Sequence, residues 1–181
     1  TWMLAKIKEV YTEINDHFSK YRLNDALMAA FKLFTDEFSG WYLEMIKPAY
    51  QAPIDAATYK DTLNIFDQLL HIIHPFMPFI TEELWQHIAE RQEGESLMVS
   101  EFQLTQPDEE EQQLIKLFED AKQVISGVRG VRQTKNISPR EPLALEVIAA
   151  NETGCDVTKH AELNTIITKM AVISGVSYVS Q

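Results

Sequence analysis

Two histidines, His71 and His74, bracket Ile72-Ile73 within a helical apolar pattern, and Glu82 and Glu83 follow a few residues on. An i, i+3 pair lies on one helix face, which is where a zinc site with a carboxylate base would begin. Hydrolytic zinc helices instead place His at i and i+4 with a glutamate between them. Here the intervening residues are isoleucines, and His74 precedes Pro75. The pattern therefore predicts a corner residue with local hydrogen bonds, and no metal ligand is assigned. Cys155 is the lone cysteine and forms no local Cys-His pairing motif, so it is expected neither as a nucleophile nor as part of a disulfide framework. No Gly-x-Ser-x-Gly elbow, phosphate-binding Gly-rich loop or dinucleotide fingerprint occurs. No catalytic residue is assigned to these residues.

The other chemistry on offer is electrostatic. Arg129, Arg132 and Lys135 fall at i, i+3 and i+6, and Arg140 follows them. This spacing makes a basic edge that could contact phosphates. It could equally be a solvated face whose cations suit a helix C-terminus. The chain as a whole carries a net charge of −11, which taken alone argues against nucleic acid. Its distribution is uneven, however. Asp108, Glu109, Glu110, Glu111, Glu119 and Asp120 crowd one stretch, and no acid occurs from Ala121 to Arg140. Local charge rather than the sum decides where an anion binds. Trp41 and Tyr42 are adjacent and cannot both enter one core, so one of them is expected at the surface. Beside Lys47 it could stack a base.

These residues need elements to position them. Apolar spacings of three and four from Trp2 to Phe18 predict a helix already in progress at the first residue, hence a piece of a longer polypeptide. A second helix is predicted from Asn24 to about Lys47, its apolar face including Leu27, Phe31, Phe34, Phe38, Trp41, Tyr42 and Met45, with Pro48 ending it. A third is predicted over about 56–73, followed by a double-proline corner at Pro75 and Pro78. The fourth runs from about Thr81 to Arg91, with Phe76, Phe79 and Trp85 in the core and Glu82 and Glu83 at its positive end. Met98-Val99 suggests a short extended piece. The fifth helix covers about 107–134. Alternation at Leu143–Ile148 and Val176–Val179, with a helical stretch over 160–170 between them, predicts two strands and a helix. The expected fold is mostly α: an antiparallel helical bundle over 1–135, then a small α/β unit over 140–181. No apolar run reaches membrane-spanning length, and the N-terminus lacks a secretory cleavage pattern. The expected compartment is cytoplasmic, with no membrane partner.

Three stretches are more specific than a generic bundle: Asp36-Glu37-Phe38-Ser39-Gly40-Trp41-Tyr42-Leu43-Glu44-Met45-Ile46-Lys47-Pro48, then His74-Pro75-Phe76-Met77-Pro78-Phe79-Ile80-Thr81-Glu82-Glu83-Leu84-Trp85, then Val128-Arg129-Gly130-Val131-Arg132-Gln133-Thr134-Lys135-Asn136-Ile137-Ser138-Pro139. In this order the chain resembles the anticodon-binding helical domain of class I aminoacyl-tRNA synthetases of the valine/isoleucine/leucine group, the valyl branch most closely. The residues matching its arginine-containing helix end are Arg129 and Arg132. Ser100-Glu101-Phe102-Gln103 stands where the family often has Trp-Pro after the serine. The resemblance implies a parent valine–tRNA ligase that uses ATP with Mg through its catalytic domain. It also implies that this piece, which has neither that domain nor the editing domain, binds the anticodon stem-loop of tRNA(Val), holds no cofactor and is inactive alone. The candidate RNA-binding residues are Arg129, Arg132, Lys135, Arg140, Tyr42 and Lys47. A helical protein–protein interaction domain that binds no RNA is the alternative.

Overall fold

The computed structural model describes residues 1–139, 141–149 and 161–180. The chain divides into two compact units, Thr1–Glu109 and Glu110–Gln181. The long helix that follows the acidic run groups with the strands in the second unit.

The first unit is a helical bundle. Helix α1 (Trp2–Ser19) buries Trp2, Met3, Ala5, Ile7, Val10 and Ile14, a stripe at the helical period. It stops at Lys20, whose N–H reaches back to the Asp16 and His17 carbonyls, and Tyr21 then turns the chain with φ +56°. Helix α2 (Leu23–Lys32) packs chiefly on α1 and buries Ala26 and Ala30, while Leu23, Leu27 and Phe31 remain exposed. This reverses the expectation that Leu27 and Phe31 form the core face. Small side chains let two helix backbones approach closely, so the alanines face inward and the large residues are left outside.

The helical path continues to Ile46, but its middle, Leu33–Tyr42, widens into a π-helix before α3 (Leu43–Ile46). Phe38 lies at its centre, stacked on Tyr42 and Phe66 with ring centroids 5.7 and 6.0 Å away. A Cβ on Gly40 would stand 3.3 Å from the Thr35 carbonyl oxygen, so the wide turn draws in where there is no side chain. Lys47 leaves the helix at ψ 120°, as the residue before a proline favours.

Asp55 caps α4 (Ala56–Ile73), its side chain accepting from the Thr58 N–H at 2.9 Å. Pro78 opens α5 (Pro78–Ile88) at a position that needs no N–H. Trp85 is buried with Leu70 and Leu97, and Phe66 and Ile88 pack around them. Phe76 is half-buried, and Phe79 is 91% exposed. Phe79 is therefore not the core residue expected. The α5 stripe passes through Thr81 and Trp85, and Phe79 lies off it. Leu97–Val99 forms a 3-10 turn rather than an extended piece, with the Ser96 side chain accepting from the Met98 N–H.

In the second unit, α6 (Glu109–Lys135) buries Ile115, Phe118, Ala121, Lys122, Ile125 and Arg132. Strands β1 (Leu143–Ala149) and β2 (Ile173–Ser180) pair in parallel, with Leu145 opposite Val176. Parallel neighbours need a crossover, and α7 (Ala161–Ala171) lies between them in the chain, burying Leu163, Ile167 and Ala171. Cys155 and Arg140 lie outside the described residues. Val172 joins α7 to β2 with φ +54°, a left-handed conformation that costs a β-branched residue about 1–2 kcal/mol. Val172→Gly is expected to raise unfolding stability by roughly 0.5–1 kcal/mol, the relieved strain exceeding glycine's extra chain entropy. A denaturant midpoint that falls would contradict this.

Candidate nucleic-acid interface

The basic edge of α6 is built differently from a free phosphate ridge. Arg132 is only 5% exposed. Its Nη1 donates to the Ser138 carbonyl at 2.8 Å, and its Nη2 donates to the Ala171 and Val172 carbonyls at 3.2 and 2.7 Å. Arg129 is exposed, and its Nη2 donates to the Met170 carbonyl at 3.1 Å. The last carbonyls of a helix lack intrahelical partners and carry partial negative charge. The two arginines therefore cap α7, and Arg132 also fixes the strained Val172. Lys135 ends α6 in solvent, and Asn136 follows it with φ +53°.

Tyr42, expected as a surface aromatic, is 7% exposed and shares a 3.1 Å hydrogen bond with the Thr62 hydroxyl. Trp41, its neighbour, is the more exposed of the two. Lys47 is exposed and pairs with Glu44 at 3.3 Å. Tyr42 and Lys47 therefore do not form one base-stacking site, because the ring belongs to the core.

Other aromatic surface is available. Between α2, the π-helix, α4 and α5 lies a groove of about 320 Å³, lined by Leu27, Phe31, Phe34, Ile73, Met77, Ile80 and Leu84 among others. Phe31 on its wall is 56% exposed, and Phe79 stands in the first turn of α5. Sequence reasoning missed both as surface residues. For Phe31 the signal was present: Ala26 and Ala30 form a second, smaller-residue stripe on α2, and only one stripe can face inward.

The histidine pair is held locally. The His71 ring stacks on Phe102 at 4.5 Å, with Nδ1 2.9 Å from the Asp67 carbonyl and Nε2 3.0 Å from the Ser100 hydroxyl. His74 Nδ1 lies 2.8 Å from the Thr81 hydroxyl, which donates to the Met77 carbonyl. Phe102 thus anchors the loop at the point where this chain departs from Trp-Pro.

Glu82 and Glu83 fall beyond the first turn of α5, so they are not partners of its positive end. The Glu82 carboxylate accepts from the Gln86 side chain, the Ser96 hydroxyl and the Leu97 N–H, each at 2.9 Å. These bonds, that from Gln86 foremost, hold its pKa below the ordinary glutamate value of 4.5. A depressed carboxylate stabilises the fold above its unfolded pKa, and that contribution is lost as pH falls through the folded value. Protection of the Leu97 amide from hydrogen exchange is expected to hold above pH 4.5 and to weaken as the solution is acidified further. Glu82→Gln should remove this pH dependence. Protection that is flat through the acid range in the unsubstituted protein would contradict it.

The family described as the anticodon-binding domain of tRNA ligase matches residues 1–149. The chain belongs to this family. It is 51% identical over 178 residues to a valine–tRNA ligase of Phocaeicola vulgatus, covering 98% of the chain and 19% of that protein. It is 51% identical over 180 residues to one of Bacteroides thetaiotaomicron, covering 98% and 20%. A more distant relative, the valine–tRNA ligase of Pseudothermotoga lettingae, is 35% identical over 142 residues, covering 77% and 16%. The chain spans about a fifth of the length of the first two of these relatives. No helix among the described residues of this anticodon-binding domain is long and apolar enough to cross a membrane.

Proposed function

We propose that this chain is the part of a cytoplasmic valine–tRNA ligase that holds the anticodon stem-loop of tRNA(Val). Valine, ATP and Mg would be handled by catalytic and editing domains elsewhere in the same polypeptide, and no residue here is assigned to them. The observation that carries the reading is the groove with Phe31 exposed on its wall and Phe79 exposed nearby. Single-stranded loops are recognised by splaying bases onto aromatic planes, while cations hold the phosphates. Phe31 and Phe79 are suited to receive bases. Arg129 and Lys135, the solvent-facing members of the basic edge, and Lys47 are suited to backbone contact. Arg132 supports the fold of the second unit and Tyr42 that of the first.

Binding of tRNA(Val) by the full-length protein, measured across a salt series, tests this. The log–log plot should slope downward. Phe79→Ala should weaken binding by about tenfold, the effect of losing one stacking plane, with valine activation by ATP unchanged. Unchanged tRNA affinity in this variant would remove Phe79 from the reading, and unchanged affinity in Phe31→Ala would remove the groove. A salt-independent affinity would remove the phosphate contacts.

A further inference from the structure

The connection from α3 to α4 holds one aromatic ring out in solvent on a fixed support. Tyr50 is 93% exposed, and no large apolar side chain among the described residues is more so. It sits in the turn Ala49–Ala52, closed by the Ala52 N–H on the Ala49 carbonyl at 2.9 Å. Gln51 follows it with φ +63°, a left-handed conformation that turns usually assign to glycine or asparagine. Pro48 and Pro53 bracket the turn and fix φ on both sides of it. The ring therefore adds nothing to the core, while its support is already ordered. A preordered ring loses little entropy when something is laid on it.

The charges beside the ring select what that is. From Met45 to Ile54 the one charged residue is Lys47. It is exposed, as is the Glu44 carboxylate that meets it at 3.3 Å, and a surface pair of this kind is worth little beside a phosphate contact. The next acid, Asp55, is committed to the α4 N-terminus, where it accepts from the Thr58 N–H. Three residues of chain place the Tyr50 and Lys47 Cα atoms no more than about 11 Å apart, so the base and the phosphate of one nucleotide can meet both. A protein partner of ordinary size needs about 800 Å² on each side, and one tyrosine supplies at most about 250 Å². For a single unpaired base, one ring is the whole stacking platform. We propose that Tyr50 stacks an unpaired base of the anticodon loop and that Lys47 holds the phosphate beside it. The proposal rests on the reading of this chain as the holder of the anticodon stem-loop, and it does not use the groove. Tyr50 supplies beside Lys47 the ring that Tyr42, being buried, cannot.

The test couples the ring to the base. Full-length protein is titrated with tRNA(Val) and with a set of tRNA(Val) molecules that each lack the base at one anticodon-loop position. Tyr50→Ala should weaken binding of intact tRNA about tenfold, and Tyr50→Phe, which keeps the ring face, by less than about twofold. One abasic tRNA should lose the same factor against the unsubstituted protein and nothing further against Tyr50→Ala, as a shared contact requires. Lys47→Ala should lower the salt slope by about 0.7–0.9, whereas Tyr50→Ala should leave it unchanged. Without RNA, Tyr50→Ala should unfold at the same denaturant midpoint as the unsubstituted protein. The proposal is overturned if Tyr50→Ala binds tRNA as tightly as before, if the loss at every abasic position simply adds to it, if Tyr50→Phe is as weak as the alanine, or if the Lys47→Ala slope does not move. A lowered midpoint in Tyr50→Ala also overturns it, since the ring would then be covered by protein. Absence of coupling in a protein that still binds tRNA with a downward salt slope sinks this proposal alone. Salt-independent binding sinks the functional reading and this proposal with it. Coupling at Tyr50 alongside unchanged affinity in Phe31→Ala supports the tyrosine and removes the groove.

Discussion

Replacing Arg132 by methionine is expected to destabilise the second unit by about 3 kcal/mol or more. Methionine keeps much of the stem's packing but removes the guanidinium. The carbonyls of Ser138, Ala171 and Val172 then lose their donor, and the left-handed Val172 loses the bond that holds it in place. A buried acceptor left without a partner costs about 1–3 kcal/mol, and bonds from charged donors lie at the upper end. The measurement is denaturant unfolding, with amide exchange along β2 reporting which unit opens. Lys135→Ala provides the contrast. Stability should hardly move, and the salt slope of tRNA binding should fall by about 0.7–0.9 if that lysine touches one phosphate. Arg129→Ala should do some of each, since its bond to the Met170 carbonyl is exposed. An Arg132 variant that is as stable as the parent and weakened only in tRNA binding would reverse the assignment, making Arg132 a phosphate contact.

Trp85→Ala is expected to cost about 3–5 kcal/mol in the first unit, the usual penalty for emptying a large aromatic site. Trp85 is the hinge of several contacts. It packs with Leu70 and Leu97, the Arg91 guanidinium lies 3.6 Å over its ring, and His71 meets it edge-on at 6.4 Å. Its own ring N–H is buried without a partner. Trp85→Phe, which removes that orphan donor and keeps most of the packing, should therefore cost much less than the alanine. Leu97 rests on the same cluster, so the alanine variant should also release the 97–100 turn and speed exchange of its amides. A Trp85→Ala protein with an unchanged unfolding midpoint would show that the cavity refills.

The elements were legible in the sequence where one apolar stripe competes with polar faces. Helix α4 was expected over 56–73 and runs Ala56–Ile73; the strand alternation at Leu143 and Val176 likewise appears as β1 and β2. Legibility failed where a helix is apolar all round. In α2 a count of hydrophobic residues favours Leu27 and Phe31, but close helix contact favours Ala26 and Ala30, and packing geometry decides. The π-helix was invisible because one extra residue per turn leaves no mark on composition. It shifts the phase of the residues along it. Arg132 was misplaced for a third reason. It lies seven residues beyond Ile125 and fourteen beyond Phe118, in step with the buried stripe of α6, and charge was allowed to outweigh that phase. The groove needed three separated segments to meet, which no local pattern encodes.

The bond from the Tyr11 hydroxyl to the Phe102 carbonyl, with the two rings edge-on at 5.4 Å, joins residues 91 apart in the chain. This separation has a consequence for synthesis. Helix α1 is made first, but it cannot be closed over until Phe102 has left the ribosome. At about 5–20 residues per second, the interval is roughly 5–20 s. For that time the apolar stripe of α1 is covered only by what has already emerged, α2 and the π-helix first and α4 after them. Contacts at such separation also slow the search for the native state, because the loop must close before they form. Weakening this contact, for example with Phe102→Ala, should therefore be felt in soluble yield during expression more sharply than in the equilibrium stability of protein already folded.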